Sequence, residues 1–247
     1  MTVSRHGETQ DLSTEDAKNR ALAMIDAGIA GIDLAEQEAR IRAHEEAKKA
    51  RESWHLHTAR ENRKKDAGIP ERYLTASFVA WEPEGEAQKK LHAEVQRWKS
   101  GPFRDGASMV LRGGVGTGKT WIACGLVSDA MDRGYSALYS TAKGYTGKVK
   151  ETYRRDAKGA ESDVLGRFSG ADLLVMDEIG RQFETQTEHL YLFDLVNERY
   201  NKGKPTIFLT NLDGEEFKTF VGDAILDRLK EGGSLMLSLN WPSRRGV

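Results

Sequence analysis

The stretch Leu111-Arg-Gly-Gly-Val-Gly-Thr-Gly-Lys-Thr120 is the strongest indication of the fold of this chain. Gly113 is followed by four residues and then by Gly118-Lys119-Thr120, which is the spacing of a phosphate-binding loop. The preceding residues 107–112 predict a short buried strand, and residues 121–131 predict a helix with one apolar face. A strand, a glycine-rich loop and a helix form the context that this motif requires, because loop N–H groups and the helix N-terminus together stabilise a phosphate.

The residues of this loop predict the binding of a nucleoside triphosphate. We expect the Lys119 ammonium to reach the terminal phosphates and the Thr120 hydroxyl to ligate Mg2+. A glycine-rich turn without a ligand is the alternative, but the complete motif and both flanking elements argue against it. The predicted nucleotide-binding residues are Gly113, Gly114, Val115, Gly116, Thr117, Gly118, Lys119, Thr120 and Trp121.

The composition limits the class of protein. Hydrophobic residues make up 38% of the 247 residues, charged residues make up 30%, and the mean hydropathy is −0.60. No apolar run approaches the ~20 residues that cross a bilayer, and the first residues lack the apolar core of a signal peptide. We therefore expect a cytoplasmic protein with no membrane contact. The single cysteine, Cys124, excludes an internal disulfide and a multi-cysteine zinc site.

Residues 1–66 differ from the rest of the chain, since they are rich in Glu, Lys, Arg and Ala and contain no proline. They predict a first helix that is capped by Ser13 and broken near Gly28 and Gly31, and a second helix from Leu34 to about Lys65. This helical arm is either a solvated extension or a docking module whose Leu22 and Ile25 fit a groove on another protein. Composition does not separate the two.

The remainder of the chain begins at a boundary near Gly68 and Pro70, and it predicts an α/β fold. Apolar strand segments alternate with helices there, which is typical of a parallel sheet covered by helices on both faces. The five predicted strands are Ala107–Gly113, Ser136–Ser140, Ala171–Asp177, Thr206–Thr210 and Ser234–Leu239.

Polar side chains follow two of these strands. Asp177 and Glu178 come at the end of an apolar strand, and Asn211 follows the next strand along the chain. The carboxyl ends of parallel strands lie beside the phosphate-binding loop, so Asp177 is placed to hold Mg2+ and Glu178 to act as the base for an attacking water. Asn211 can hydrogen-bond that water or the γ-phosphate. Arg228, on a later short helix, is either a surface charge or an arginine that a neighbouring subunit inserts into the site.

Further segments make the chain resemble a known family. They are Asp172-Leu-Leu-Val-Met-Asp-Glu-Ile-Gly180, Leu209-Thr-Asn-Leu212, Gly222-Asp-Ala-Ile-Leu-Asp-Arg-Leu229 and Leu239-Asn-Trp-Pro-Ser-Arg-Arg245. Together with the loop, this series is similar to the AAA+ ATPases of the DnaC-like helicase-loader group, with IstB-type transposition ATPases as near relatives. The resemblance runs from about Gly68 to Arg245. It implies a P-loop AAA+ (ASCE) domain over residues 67–247 that binds ATP, hydrolyses it and self-associates.

The resemblance also implies roles for individual residues. Asp177 and Glu178 match the acidic pair of the strand, and Asn211 matches the first sensor. Arg228 matches the arginine finger that acts in trans. Arg245 matches the arginine that senses the γ-phosphate in cis, and its immediate neighbour Arg244 is the alternative for this role.

A basic segment, residues 141–158, predicts a contact with single-stranded DNA. The formal net charge of the chain is −1, so nucleic-acid binding must come from such local clusters. The segment has six basic residues against two acidic ones, with Tyr145 and Tyr153 between them. Basic side chains follow a phosphate backbone and aromatic rings stack on unpaired bases. By itself the pattern favours a solvated helix, whereas the resemblance favours DNA binding. The candidate contacts are Lys148, Lys150, Tyr153 and Arg154.

The resemblance implies a replicative, hexameric DnaB-type helicase as the partner, bound through residues 1–66 and delivered to single-stranded DNA. An IstB-type helper would share the ATPase residues but would serve a transposase and coat duplex DNA. A third possibility is an adaptor that binds ATP without hydrolysing it.

Overall fold

The computed structural model describes residues 13–30, 34–101, 103–157, 159–180 and 186–243. The chain divides into two compact units after Ala59. Two helices, α1 (Ser13–Ala30) and α2 (Leu34–Asp66), form the described part of the arm, and α2 crosses the division. The helical prediction for this region is confirmed. The expected break at Gly28 is wrong, because a single glycine costs about 1 kcal/mol in a helix without ending it. Gly31 lies outside the described residues.

The second unit contains a five-stranded parallel sheet in the order β2-β3-β4-β1-β5. The strands are β1 (Met109–Gly113), β2 (Ala137–Thr141), β3 (Leu173–Ile179), β4 (Thr206–Thr210) and β5 (Leu235–Leu239). The helices are α3 (Gly85–Ser100), α4 (Lys119–Asp132), α5 (Ala142–Glu151), α6 (Glu161–Gly170), α7 (Gln186–Asn201) and α8 (Gly214–Lys230). Short 3-10 turns span Glu71–Tyr73 and Glu231–Gly233.

Helices cover both faces of the sheet, as the apolar strands predict. Alternate strand residues enter two separate cores. Met109 and Leu111 pack on the side of α3 and α4, whereas Val110 packs on the side of α5 to α8. This arrangement of one sheet between two layers of helices fixes the register of the strands and therefore the edge at which their carboxyl ends meet.

Some element boundaries differ from the predictions. Helix α5 ends at Glu151 instead of near Arg155, and β3 extends to Ile179, so that Glu178 lies inside the strand. The expected short helices after β4 are confirmed, because α8 consists of two helical segments that meet at the non-helical residue Gly222 (φ 77°, ψ 164°). Glycine adopts this backbone angle without the steric cost that a Cβ brings.

A buried arginine joins the sheet to the helices. Arg199, 1% exposed, donates to the carbonyls of Phe168 and Ala171 at 2.7 Å each and to that of Pro205 at 2.5 Å. Its Nε donates to Thr206 Oγ1 at 2.9 Å. Burial lowers the pKa of Arg199, and these acceptors offset the cost of burying the charge. The contacts hold α7 against the first residues of β3 and β4.

Candidate nucleotide-binding site

A cleft of about 810 Å³ lies at the carboxyl edge of the sheet. The loop after β1, the ends of β3 and β4 and the segment before α3 all contribute to its walls. It brings together residues that are far apart in sequence, including Lys119, Thr120, Asp177, Glu178 and Asn211. Because parallel strands end at one edge, the sheet gathers these groups as the sequence predicts.

The glycine-rich loop has the geometry of an anion-binding site. Gly116 (φ 84°) and Gly118 (φ 96°) adopt the left-handed backbone region that a side chain disfavours. Gly118 stands at the N-terminus of α4, and no side chain among the described residues caps that terminus. Because uncapped N–H groups at a helix N-terminus favour an anion, the first turn of α4 is suited to binding a phosphate.

Lys119 is held against the loop that it follows. Its Nζ donates to the Gly113 carbonyl at 2.6 Å and to the Gly114 carbonyl at 2.8 Å, and the residue is 8% exposed. The ammonium thus lies at the mouth of the loop, where the terminal phosphates of a nucleotide would also lie.

Asp177 is the centre of a hydrogen-bond network. Its Oδ2 accepts from the Thr120 hydroxyl at 3.0 Å and from the Tyr139 hydroxyl at 2.6 Å. Its Oδ1 accepts the N–H of Glu178 at 2.6 Å. The carboxylate is 8% exposed, so these bonds replace the water that burial removes.

The oxygen atoms of Thr120 and Asp177 are suitable ligands for Mg2+. Hydroxyl and carboxylate oxygens are the ligands that Mg2+ prefers, and it is usually held by one or two protein groups together with phosphates and water. Among the described residues there is no cluster of three or more His, Cys, Asp or Glu side chains that could hold a metal. Thr120, which donates its proton to Asp177, keeps its oxygen lone pairs for a cation.

Glu178 has an unusual backbone. Among the described residues it alone combines a side chain with positive φ, at 60°. The register of β3 and β4 shifts between Met176 and Ile179 at the same point, and Thr210 Oγ1 donates to the Ile179 carbonyl at 2.6 Å. Such strain persists where the surrounding structure fixes it, and it is concentrated at functional sites. Here it accompanies a half-buried carboxylate that lines the cleft.

Several residues of the cleft were not predicted as site residues. Tyr139 comes from β2, and Arg72 and Tyr73, whose guanidinium and ring lie 4.6 Å apart, come from the segment before α3. Trp241 donates from Nε1 to the Thr117 carbonyl at 2.9 Å, so the chain after β5 crosses the loop. The Asn-Trp pair after the last strand contributes to the family resemblance, but no sequence signal pointed to this contact.

Comparison with known proteins agrees with this geometry. The family model described as IstB-like ATP-binding protein matches residues 57–238. The chain belongs to this family. Its relatives include the replicative helicase loaders DnaC of Buchnera aphidicola subsp. Baizongia pistaciae (strain Bp) and of Escherichia coli (strain K12). Each is 31% identical over 179 residues, which is 72% of this chain and 73% of the relative.

Solved structures show the same fold. The crystal structure of the DnaC helicase loader superposes with a TM-score of 0.60 at 18% identity, covering 68% of this chain and 99% of that one. The replication initiator DnaA bound to AMPPCP and single-stranded DNA superposes with a TM-score of 0.59 at 20% identity, covering 70% of this chain and about half (51%) of that one. The predicted AAA+ fold and the family resemblance are confirmed.

Arg228 lies away from the cleft of its own chain. Its Nη1 donates to the Ala224 carbonyl at 2.8 Å, and its guanidinium lies 5.5 Å from the ring centroids of Phe193 and Tyr200. Its Nε is buried and has no hydrogen-bond partner among the described residues. This position is compatible with a surface charge and with an arginine that enters the site of a neighbouring subunit. The second role stays a prediction. Arg244 and Arg245 lie outside the described residues.

The predicted DNA contacts lie together at the end of α5. Lys148, Lys150, Tyr153 and Arg154 are all exposed. Lys150 Nζ pairs with Glu188 Oε1 at 2.7 Å, and the Tyr153 hydroxyl donates to Glu161.

The position of Tyr145 shows that one part of the DNA prediction, the use of this ring for stacking, is wrong. Its ring is 2% exposed and packs 5.0 Å from that of Phe168, so Tyr145 belongs to the core and is not available to stack on a base. Helical periodicity places Tyr145 on the buried face of α5, whereas Tyr153 lies beyond the end of α5 and is exposed to solvent.

Among the described residues, no helix has both the length and the apolar character needed to cross a membrane.

Proposed function

We propose that this protein is an ATP-dependent loader that delivers a hexameric DnaB-type replicative helicase onto single-stranded DNA. The observation that carries the proposal is the 31% identity to replicative helicase loaders over 72% of the chain. The nucleotide-binding cleft supports it, because the acidic pair, the loop and Asn211 lie around one cavity.

ATP hydrolysis is the reaction that the cleft supports best. Lys119 would exchange the loop carbonyls for the terminal phosphates, and Thr120, with Asp177 behind it, would hold Mg2+, which stabilises the charge that develops on the phosphates. Glu178 would take the proton of the attacking water, while the Asn211 amide would orient that water or the γ-phosphate.

Completion of the site by a second subunit is the role proposed for Arg228. Its guanidinium is held by one backbone carbonyl and two rings, so swinging outward breaks few polar contacts. Arg245 would sense the γ-phosphate within its own chain. ATP would then order loader–loader contacts, and hydrolysis would permit release.

The DNA and helicase contacts are proposed for two separate surfaces. The exposed cluster at the end of α5 would follow single-stranded DNA. The arm, residues 1–66, would bind the helicase, and its exposed Leu22 (56%) and Ile25 (57%) lie one helical turn apart on α1. Exposed apolar side chains at this spacing are typical of a helix that docks into a groove.

An IstB-type transposition helper is the second candidate, because the matching family model is named for that group. The two functions differ in their DNA substrate. A marked preference for duplex over single-stranded DNA, together with failure to bind any DnaB-type helicase, would favour the transposition helper.

Capture of a DnaB-type helicase by the full chain tests the proposed function. We expect Leu22→Asp and Ile25→Asp to reduce capture at least tenfold, because a buried charge opposes docking. Leu22 and Ile25 form what we call the stripe of α1. Met24→Asp is the matched control, since Met24 is an exposed apolar residue (79%) that does not belong to the stripe. Absence of capture by the unaltered chain would contradict the loader function, and equal capture by all variants would contradict the role of the stripe.

A further inference from the structure

Tyr139 is a buried residue that joins β2 to the candidate metal site. The side chain is 9% exposed, and its hydroxyl donates to Asp177 Oδ2 at 2.6 Å. Strands β2 and β3 are neighbours, with Tyr139 opposite Val175. The phenol therefore reaches along the sheet to the carboxylate of Asp177, which lies two residues after Val175 on β3.

The same carboxylate oxygen serves Thr120. Oδ2 of Asp177 accepts both the Tyr139 and the Thr120 hydroxyls, while Oδ1 accepts the Glu178 N–H. Partners of this kind orient the groups that hold a metal, and their removal lowers metal affinity. Of the three donors, only Tyr139 lies outside the loop and the acidic pair.

The backbone of Tyr139 is fixed from the other side of β2. Its N–H donates to the Ala67 carbonyl at 2.7 Å. Gly68 approaches so closely that a Cβ there would lie 2.3 Å from the Tyr139 carbonyl oxygen.

We propose that Tyr139 is a positioning residue for Mg2+, which acts by holding the Asp177 carboxylate in the orientation that receives the Thr120 hydroxyl. The proposal rests on the proposed ATP-dependent function. It predicts that Tyr139 governs the affinity for Mg2+ and has little effect on the binding of nucleotide without metal, because the loop N–H groups and Lys119 contact phosphate directly.

The test is a titration of Mg2+ against binding of a fluorescent ATP analogue to the full chain. Tyr139→Phe removes only the hydroxyl, and we expect it to raise the half-saturating Mg2+ concentration about ten- to a hundredfold. Binding of the analogue in EDTA should change less than twofold, and the melting temperature should stay within a few degrees. Tyr145→Phe, at a buried tyrosine in the other core, is the matched control and should leave the Mg2+ midpoint unchanged.

Three results would overturn the proposal. A Mg2+ midpoint for Tyr139→Phe within twofold of the unaltered chain would remove the positioning role, while the proposed function would stand. An equal loss of binding with and without Mg2+ would assign Tyr139 to the architecture of the site only. If the unaltered chain bound no nucleotide, the ATP-dependent function would fail together with the proposal.

Discussion

At the scale of single residues, the site depends on groups that are buried but hydrogen-bonded. Asp177, Lys119 and Thr117 are each less than a tenth exposed, and each donates to or accepts from a group of the loop, the strands or the chain after β5. Arrangements of this kind hold catalytic groups in place before the substrate arrives, so that little reorganisation is needed during reaction.

Lys150 and Tyr153 carry the prediction for DNA. Lys150→Ala removes a cation proposed to follow the DNA phosphates, and Tyr153→Ala removes a ring proposed to stack on a base, and such stacking contributes ~1–3 kcal/mol per base. We expect each change to weaken binding of single-stranded DNA at least fivefold, with nucleotide binding unchanged. Fluorescence anisotropy with a labelled oligonucleotide measures the effect.

The matched control for this prediction is Lys89→Ala. Lys89 is also an exposed lysine in an ion pair, with Glu86 on α3, and its removal should leave DNA affinity unchanged. If Lys150→Ala and Tyr153→Ala both retained full affinity, the DNA surface would have to lie elsewhere.

His92 predicts a dependence of stability on pH. Burial, and then the charge of Lys99, lower the pKa of His92 below its ordinary value of 6.5. Its ring stacks on Phe78 with 4.8 Å between centroids, and its Nε2 has no hydrogen-bond partner among the described residues. The unfolded chain therefore binds a proton more readily than the folded chain, and the free energy of unfolding should fall as pH drops from 6.5 toward the lower folded pKa.

Urea denaturation between pH 7 and pH 5 measures this effect. His92→Leu should flatten the slope of stability against pH, whereas His189→Leu, at an exposed histidine of the same unit, should keep it. The same slope in both variants would remove His92 as its source.

At the scale of elements, the edge strand β2 is held on its outer side by the turn after α2. Residues 67–69 lie against it through the Ala67 carbonyl and the close contact at Gly68. Arg167 adds a bond from its Nη2 to the Asp66 carbonyl at 3.1 Å. An exposed β edge is thereby covered, which protects it from pairing with another chain.

Gly68→Ala tests that contact. Gly68 and Gly134 both have φ of 88°, but a Cβ at Gly68 meets the Tyr139 carbonyl oxygen at 2.3 Å, whereas one at Gly134 has nothing within 4 Å. Both alanines carry the backbone strain of about 1 kcal/mol, and Gly68→Ala adds an overpacking cost of about 1–3 kcal/mol. Urea denaturation should show this difference, and equal destabilisation by the two variants would contradict the close approach.

The sequence predicted the elements better than their contacts. Apolar runs located all five strands to within two residues, because burial on both faces leaves a continuous apolar signal. The contacts of Tyr139 and Trp241 with the site could not be predicted, since they join positions 38 and 124 residues apart through the tertiary fold.

At the scale of the whole molecule, the two units differ in how much of each the family model covers. The family model matches residues 57–238 and thus covers most of the unit that holds the sheet and the cleft. Helix α1 and most of α2 lie outside that match. Their helical structure was predictable from composition and capping residues, but the partner of the arm was not, because a helix face by itself does not specify the groove that it enters.

Loading of the helicase is tested by measuring how much DnaB-type helicase is retained on circular single-stranded DNA after gel filtration, with the full chain, ATP and Mg2+. If the protein is an ATP-dependent loader, retention requires both the loader and ATP. We also expect Glu178→Gln, which removes the proposed base, to leave the loader trapped on the helicase–DNA complex. Retention no greater than with helicase alone, for the unaltered chain with ATP, would show that the protein is not such a loader.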